Sequence, residues 1–218
     1  MKIGVLGTGI VGRTLGGRLA ALGNEVMMGS RTAANEAAAE WARTAGPAAG
    51  HGTFADAAAF GEVLINCTSG MVSLTALQAA GADNLRGKLL IDVSNPLDFS
   101  GGMPPTLGVG NTDSVGEQIQ TAFPEARVVK TLNTINCEVM IAPGSVPGLH
   151  NLFLSGDDAG AKDETRRLLQ TLGWPPASIV DLGGIDTARG PEMYLPLWLR
   201  LMGALGTGRF NIAVTVGE

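Results

Sequence analysis

The sequence predicts an α/β fold in which helices cover both faces of a doubly wound parallel sheet. Short apolar runs alternate with segments of helical periodicity, and a glycine-rich turn joins the first run to the first helix. At 218 residues, 45% of them hydrophobic, the chain is long enough for one large domain with a buried core. We expect one main unit followed by a small C-terminal α/β extension.

The first half of the chain alternates between predicted strands and predicted helices. The segment KIGVLG is a short buried strand, and Leu15, Leu19 and Leu22 follow it at helical spacing until Gly23 ends the helix. The next predicted elements are the strand EVMMGS, the helix AANEAAAEWARTAG, the strand EVLINCTS, the helix VSLTALQAAG and the strand GKLLIDVSNP.

The second half continues this alternation after a loop rich in glycine and proline, DFSGGMPPTLGVG. The predicted elements are a helix near SVGEQIQTAF, the strand ARVVKTLNT, the strand LFLSGDD, the helix AKDETRRLLQTLGW and the strand SIVDLGG. The tail from Thr187 predicts a long apolar helix ending in FNIAVTV. We divide the chain into a first unit, residues 1–150, and an extension, residues 151–218.

Composition excludes several classes of function. A net charge of −5 argues against a nucleic-acid or anionic-membrane partner, because such partners need a concentrated positive field. The apolar stretch MYLPLWLRLMGAL contains Pro196 and Arg200 and is too short to span a bilayer. Cys67 and Cys137 have no companions at metal-ligand spacing. We expect a cytoplasmic protein with reduced cysteines, no metal and a small-molecule partner.

The turn after the first strand reads GTGIVG, which comprises Gly7, Thr8, Gly9, Ile10, Val11 and Gly12. The spacing Gly-x-Gly-x-x-Gly is weak evidence alone, but here it follows a strand and opens a helix. The first glycine then allows a tight turn, the second lets the backbone approach a pyrophosphate, and the third packs the helix on the sheet. The helix N-terminus faces the phosphates. These six residues predict a Rossmann-type dinucleotide site; a turn without ligand is the alternative.

The end of the second predicted strand carries Ser30 and Arg31 where units that bind NAD place an acid. A carboxylate would repel a 2′-phosphate, whereas hydroxyl and guanidinium groups can hydrogen-bond to it with favourable charge. Thr32 and Asn35 could add donors from the first turn of the next helix. The predicted cofactor is therefore NADP(H). In the alternative interpretation Ser30 is a helix cap and Arg31 is a solvated surface residue.

Polar residues also follow three further predicted strands. The carboxyl ends of parallel strands line the cofactor crevice of such a sheet, so we expect these residues to contact or position the cofactor. The same residue types are ordinary turn formers, so a structural role is the alternative for each. The candidates are Cys67, Thr68, Ser69, Ser94, Asn95, Pro96, Asn133 and Thr134.

The segment KIGVLGTGIVGRTLGGRLAALGNEVMMGSR resembles the N-terminus of the NADP oxidoreductases that use the deazaflavin coenzyme F420. VVKTLNTI is similar to the family strand that leads into the active site, and DLGGIDTARGPEMYLPLWL is similar to its C-terminal segment. Relatives of this family include the NADPH-binding domains of membrane metalloreductases. The resemblance implies a Rossmann-type NADP-binding domain, residues 1–150, and an extension, residues 151–218, that completes the acceptor site.

The resemblance implies direct hydride transfer between the nicotinamide and a tricyclic ring stacked on it. Such a transfer needs positioning and exclusion of water more than a strong acid or base. The sequence fits this demand, because His51 and His150 are its only histidines and neither stands in a His–carboxylate pattern. We expect no catalytic acid or base, with Asn133 and Thr134 as positioning candidates. Lys130 is interpreted as a strand residue whose amine reaches toward solvent, and a catalytic role is the alternative.

The acceptor stays open at this point, because members of the deazaflavin-using type can carry a histidine where this chain has Asn133. The main hypothesis is an NADP(H)-dependent oxidoreductase with a deazaflavin or flavin acceptor. The alternatives are a reductase of ferric complexes or free flavin and a non-catalytic NADPH-binding redox sensor. A carbonyl or hydroxy-acid dehydrogenase is disfavoured, because no proton donor is conspicuous. The apolar tail, residues 191–216, predicts core or a subunit interface, and hence a homodimer.

Overall fold

Strands and helices alternate through residues 1–217, which are the residues that the computed structural model describes. The strands are β1 Lys2–Leu6, β2 Glu25–Ser30, β3 Ala49–Thr53, β4 Val63–Asn66, β5 Leu89–Asp92, β6 Leu97–Asp98, β7 Thr106–Leu107, β8 Arg127–Lys130, β9 Leu152–Ser155 and β10 Ile179–Gly183. The helices are α1 Ile10–Ala21, α2 Glu36–Ala45, α3 Phe54–Phe60, α4 Gly70–Ala80, α5 Ala82–Leu85, α6 Val115–Ala122, α7 Cys137–Ile141, α8 Ala159–Thr171, α9 Arg189–Met193 and α10 Leu195–Leu205.

Eight of these strands form one sheet in the order β10-β9-β8-β5-β4-β1-β2-β3. Neighbouring strands are parallel except β8 and β9, which are antiparallel and pair at Lys130 and Ser155. The predicted α/β class with a doubly wound, largely parallel sheet is confirmed. Strand β1 lies between β2 and β4, so the strand order reverses there. Open α/β sheets bind ligands beyond the carboxyl ends of the strands at such a reversal.

Each face of the sheet is covered by helices with their own apolar core. On one face α1, α2, α7 and α8 pack around Leu15, Leu19, Trp41 and Trp174, all of which are buried. On the other face α3, α4 and α6 enclose a second cluster that includes Leu77. Leu15 and Leu19 are four residues apart, so both lie on the side of α1 that meets the sheet.

Several short elements lie where the sequence pattern predicted none: β3, α3, α5, β6, β7 and α7. Strand β3 and helix α3 fall between the predicted helix α2 and the predicted strand β4. Thr53 begins α3 with a capping box: its side chain accepts from the backbone N–H of Asp56, whose carboxylate accepts from the backbone N–H of Thr53. The loop rich in glycine and proline contains a short antiparallel hairpin, β6–β7.

The tail from Thr187 is not one long helix, so that prediction is wrong. A 3₁₀ turn, Ile185–Ala188, leads into α9 and α10, and α10 ends at Gly206, which is left-handed with φ +65°. The segment beyond Gly206 pairs with another part of the chain instead: the N–H of Asn151 donates to the Ile212 carbonyl at 2.9 Å.

Strands β9 and β10 join the main sheet, and the division of the chain at residue 150 stays a prediction. Within residues 1–217, no helix combines the length and the apolar character that crossing a membrane requires.

Candidate nucleotide site

The turn between β1 and α1 brings together the three glycines of the predicted fingerprint. Gly7 has φ +118°, and its N–H donates to the carbonyl of Gly29 at 3.0 Å. A Cβ on Gly12 would lie 2.2 Å from the Gly7 carbonyl oxygen, so α1 packs this closely only with glycine there. A Cβ on Gly9 would meet no atom within 4 Å. Gly9 therefore borders open space at the helix N-terminus, where an anion can reach free N–H groups.

A cavity of about 610 Å³ lies against this turn, within the size range of cofactor sites. Of the described residues that line it, only Arg31 carries a charge, and the other lining residues are neutral. The lining residues are Gly7, Thr8, Gly9, Arg31, Phe54, Cys67, Thr68, Ser69, Val72, Thr75, Ala76 and Ala79.

The cavity gathers some of the predicted residues and leaves others outside. The glycine turn, Arg31 and the loop after β4 line it. The predicted residues outside its lining are Ile10, Val11, Gly12, Ser30, Asn35, Ser94, Asn95, Pro96, Asn133 and Thr134.

Ser30 and Asn35 have other partners. The Ser30 hydroxyl donates to the Thr32 carbonyl at 2.6 Å, so its proton points away from any phosphate in this arrangement. Helix α2 is capped by Asn35, whose side-chain oxygen accepts from the N–H of Ala38 at 2.9 Å, and not by Ser30. Arg31 is exposed.

Sequence reasoning missed the apolar wall of the cavity, which α3 and α4 provide. Val72, Thr75, Ala76 and Ala79 line it from α4, and Phe54 lines it from the start of α3. Their spacing in α4 is the i, i+3, i+4, i+7 pattern of one helix face. This pattern could have indicated the cavity wall. Small side chains on one helix face, however, more often pack against other parts of the protein.

A second group of predicted residues lies at the ends of β5 and β8. The side-chain amide of Asn133 donates to Asn95 Oδ1 at 2.9 Å, and the amide of Asn95 donates back to the Asn133 carbonyl at 2.8 Å. The N–H of Gly70 donates to the Asn95 carbonyl at 3.0 Å, and a Cβ on Gly70 would lie 2.3 Å from that oxygen. The loops after β4, β5 and β8 are thereby tied together beside the cavity. Thr134 is buried next to them.

Lys130 does not reach toward solvent, so that interpretation is wrong. Its side chain is buried because β8 lies inside the sheet between β5 and β9. Its Nζ lies 2.7 Å from Asp92 Oδ2 and 2.6 Å from Glu192 Oε1, and it donates to the Ser94 carbonyl at 2.6 Å. Burial alone would lower the pKa of Lys130, but the carboxylates of Asp92 and Glu192 raise it above its ordinary value.

Glu192 also binds the N-terminus of α6. Its carboxylate accepts from the N–H groups of Val115 and Gly116 at 2.8 and 3.1 Å. The C-terminal segment is thereby fixed to the sheet through one buried carboxylate. Sequence reasoning missed this role, although a single acid within the apolar run PEMYLPLWL was a signal that it has a buried partner.

Apolar side chains are exposed near the same edge of the sheet. Met71 and Met193 are 48% and 38% exposed. A Cβ on Gly108 would lie 2.4 Å from Met71 Sδ, and the N–H of Asn111 lies 3.2 Å from Met193 Sδ. The start of α4, the loop after β7 and the end of α9 therefore lie side by side. We call Met71, Met193 and residues 107–111 the methionine surface.

Neither histidine lines the cavity. His51 is exposed on β3, whereas His150 is buried, with Nε2 3.1 Å from the Pro143 carbonyl and Nδ1 3.0 Å from the Asn211 amide. Among residues 1–217, no three His, Cys, Asp or Glu side chains are grouped to hold a metal.

The two cysteines are free thiols. Burial first, and then the charge of Asp92, raise the pKa of the Cys67 thiol well above its ordinary value, so it stays protonated on the cavity wall.

Comparison with known proteins gives four similarities. Residues 2–96 match the family model described as NADP oxidoreductase, coenzyme F420-dependent. The F420-dependent NADP reductase of Methanothermobacter marburgensis is 30% identical over 211 residues, which are 92% of either chain. A 1.70 Å crystal structure from Arthrobacter sp. FB24, of a protein provisionally named an F420-dependent NADP reductase, is 53% identical with a TM-score of 0.93. The match covers 99% of this chain and 100% of that one.

Metalloreductase STEAP3 of Rattus norvegicus is 30% identical over 203 residues. These are 90% of this chain but 38% of STEAP3, so the chain spans well under half the length of that relative.

Proposed function

The chain belongs to the family of coenzyme F420-dependent NADP oxidoreductases and is an NADP-dependent oxidoreductase, and we propose that it transfers a hydride directly between NADP(H) and a deazaflavin or flavin acceptor. One observation carries the proposal: the first turn of α4 carries both Val72, which lines the cavity at the open Gly9 turn, and Met71 of the methionine surface. The cavity is suited to a dinucleotide, and the methionine surface is suited to the apolar face of a flat ring.

The residues present fit NADP(H). Gly9 has no side chain between its backbone and open space, which leaves room for a pyrophosphate. Arg31 is an exposed guanidinium at the end of β2, where a 2′-phosphate needs a cation. Phe54, Val72 and Ala76 offer an apolar wall to the adenine. Ser30 would have to release the Thr32 carbonyl before donating to a phosphate, so Arg31 is the principal candidate for that contact.

The residues of the chain position the reactants and supply little acid–base chemistry. When bound, NADPH supplies the hydride. The reciprocal pair Asn95–Asn133 holds the loops beyond β5 and β8 in one arrangement, and such fixed geometry is what a direct transfer requires. Neither histidine lines the cavity, and the hydride step itself needs no side-chain acid.

A ferric complex or free flavin is the second candidate acceptor, because 90% of this chain is similar to part of metalloreductase STEAP3. The methionine surface suits an isoalloxazine as well as a deazaflavin, since both are flat tricyclic rings with apolar faces and one polar edge.

We also propose a homodimer formed through α10. Leu195 is the buried residue of this helix, whereas Leu197 and Leu205 are 56% and 57% exposed. An apolar helix with exposed leucines is typical of a subunit interface. Sedimentation of the wild type and of Leu205→Glu tests this, and a wild-type monomer would contradict it.

An acceptor screen at fixed NADPH tests the proposed reaction. Oxidation of NADPH is followed with coenzyme F420, FMN, FAD and ferric chelates, and NADH serves as the matched donor. We expect the highest kcat/KM with the deazaflavin and a primary isotope effect from 4-deuterated NADPH when the hydride step limits the rate. A preference for ferric chelates would favour the second candidate, and tight NADPH binding without turnover on any acceptor would indicate a redox sensor.

A further inference from the structure

Thr68 lies on the wall of the cavity, and two side chains that do not line the cavity hold its hydroxyl from behind. Thr68 Oγ1 is 2.7 Å from Asn66 Oδ1 and 2.9 Å from Ser73 Oγ. The backbone N–H of Thr68 donates to Asn66 Oδ1 as well, at 3.2 Å. Asn66 and Ser73 are both 0% exposed. The orientation of Thr68 is therefore set on the protein side, before any ligand arrives.

The orientation of Asn66 is itself determined by its neighbours. Its amide donates to Ser73 Oγ at 3.0 Å and to Asp92 Oδ1 at 2.8 Å, while its oxygen accepts from Thr68. A flip of this amide would turn its NH₂ group toward the Thr68 N–H and its oxygen toward a carboxylate. Both contacts would be repulsive, so one orientation is strongly favoured.

Asp92 is anchored in turn by a buried cation. Its Oδ2 accepts from Lys130 Nζ at 2.7 Å, and its Oδ1 also accepts from the N–H of Ser94 at 3.1 Å. Hydrogen bonds to charged groups are strong in a buried environment. A continuous row of buried hydrogen bonds thus runs from Lys130 through Asp92 and Asn66 to Thr68.

The protons in this row can be assigned. The Ser73 hydroxyl donates to the Ser69 carbonyl at 3.1 Å. The Thr68 proton then points to Asn66 Oδ1 or to Ser73 Oγ, and both of these lie behind it. The Thr68 hydroxyl therefore has no proton left for a ligand and can meet one only through an oxygen lone pair. A lone pair accepts from a hydroxyl or amide N–H and repels a phosphate oxygen.

We propose that Asn66 and Ser73 are positioning residues that make Thr68 a hydrogen-bond acceptor for a donor group of the nucleotide, such as a ribose hydroxyl. This inference rests on the proposed assignment of the cavity to NADP(H). Thr68 is the contact, and the other two act only through it.

Nucleotide titrations of single and double variants test the inference. Thr68→Val keeps the shape of the side chain and removes the hydroxyl. Ser73→Ala removes one of the two side chains that hydrogen-bond to the Thr68 hydroxyl. We expect each change to raise the Kd for NADPH by about three- to tenfold. The double variant should be no weaker than Thr68→Val alone, because Ser73 acts through Thr68. Each change should affect NADPH and NADH by the same factor, since the 2′-phosphate is not involved.

Ser155→Ala is the matched control. Ser155 is also 0% exposed, and its hydroxyl accepts from Thr187 at 2.8 Å in β9, outside the cavity lining. This variant should lose comparable thermal stability and keep the wild-type Kd. If Ser73→Ala does not fold, Ser73→Cys retains the size and a weaker hydrogen-bonding group, and should raise the Kd by a smaller factor.

Three outcomes would overturn the inference: a wild-type Kd for either single variant, additive losses in the double variant, or a loss confined to NADPH. The last would make Thr68 a phosphate contact. If the wild type itself binds neither nucleotide, the proposed function fails as well. If the wild type binds NADPH and the variants match it, the inference alone fails.

Discussion

Gly12 lies so close to Gly7 that a Cβ on Gly12 would be 2.2 Å from the Gly7 carbonyl oxygen, whereas a Cβ on Gly9 would meet nothing within 4 Å. Gly9 and Gly12 therefore have separable roles. We expect Gly9→Val to fold, because its extended backbone (φ −70°, ψ 178°) accepts valine, but to lose NADPH binding. Gly12→Ala should lower the thermal midpoint instead. Circular dichroism melts and NADPH titrations measure both, and undiminished affinity in Gly9→Val would remove the turn from the site.

Arg31 should select the phosphorylated cofactor. Arg31→Ala should weaken NADPH by about ten- to hundredfold and NADH hardly at all, because NADH has no 2′-phosphate for the guanidinium to contact. Ser30→Asp should repel the phosphate and move the preference toward NADH. Since the Ser30 hydroxyl already donates to Thr32, Ser30→Ala should have a small effect.

Arg43→Ala is the control for the Arg31 titrations, because Arg43 is an exposed arginine that pairs with Glu40 on its own helix. Equal losses for NADPH and NADH in Arg31→Ala, or a wild type that binds both equally, would make Arg31 a surface residue.

Lys130 should be a stability residue. Lys130→Met leaves the buried carboxylates of Asp92 and Glu192 without their cation and should cost roughly 3–5 kcal/mol of unfolding free energy. Lys162→Met, which breaks a more accessible pair with Asp181, should cost less than about 1 kcal/mol. Urea unfolding measures the loss of unfolding free energy in both variants. Similar losses would show that the buried ion pairs of Lys130 stabilise the fold no more than the accessible pair of Lys162.

The two histidines should be dispensable for the hydride step. His51→Ala and His150→Ala should each retain most of the turnover, because neither residue lines the cavity. His150→Ala should also lower the thermal midpoint, since His150 contacts Pro143 and Asn211. Steady-state kinetics and melts separate the two effects. A loss of several orders of magnitude in turnover would contradict direct transfer and revive a dehydrogenase with a proton relay.

Local patterns predicted most of the sheet and the glycine turn. Leu15 and Leu19 signal helix α1 by spacing alone, and the apolar runs of the inner strands signal strands because these strands are buried on both faces. Helix α3 was missed although Thr53 and Asp56 form a capping box, because its alanine-rich sequence carries little periodicity. The tail was misread because Gly206, which ends α10, lies between two apolar segments, LPLWLRLMGAL and FNIAVTV.

The buried polar groups could not be predicted from local patterns. A lysine in an apolar run, such as Lys130, reads as a side chain that reaches solvent until its partners are known. Asp92 lies on a neighbouring strand and Glu192 lies near the other end of the chain. Sequence periodicity contains no information about such distant pairs, since they are brought together only by the topology of the sheet.

The contact of Glu192 with the N-terminus of α6 also bears on how the chain is synthesised. While the ribosome has released only residues 1–150, the N–H groups of Val115 and Gly116 lack the carboxylate that they bind in the finished protein. Lys130 then has Asp92 as its sole anionic partner, and β8 has no β9 beside it. The first 150 residues of the nascent polypeptide therefore reach their final internal charge balance only after residue 192 has emerged from the ribosome.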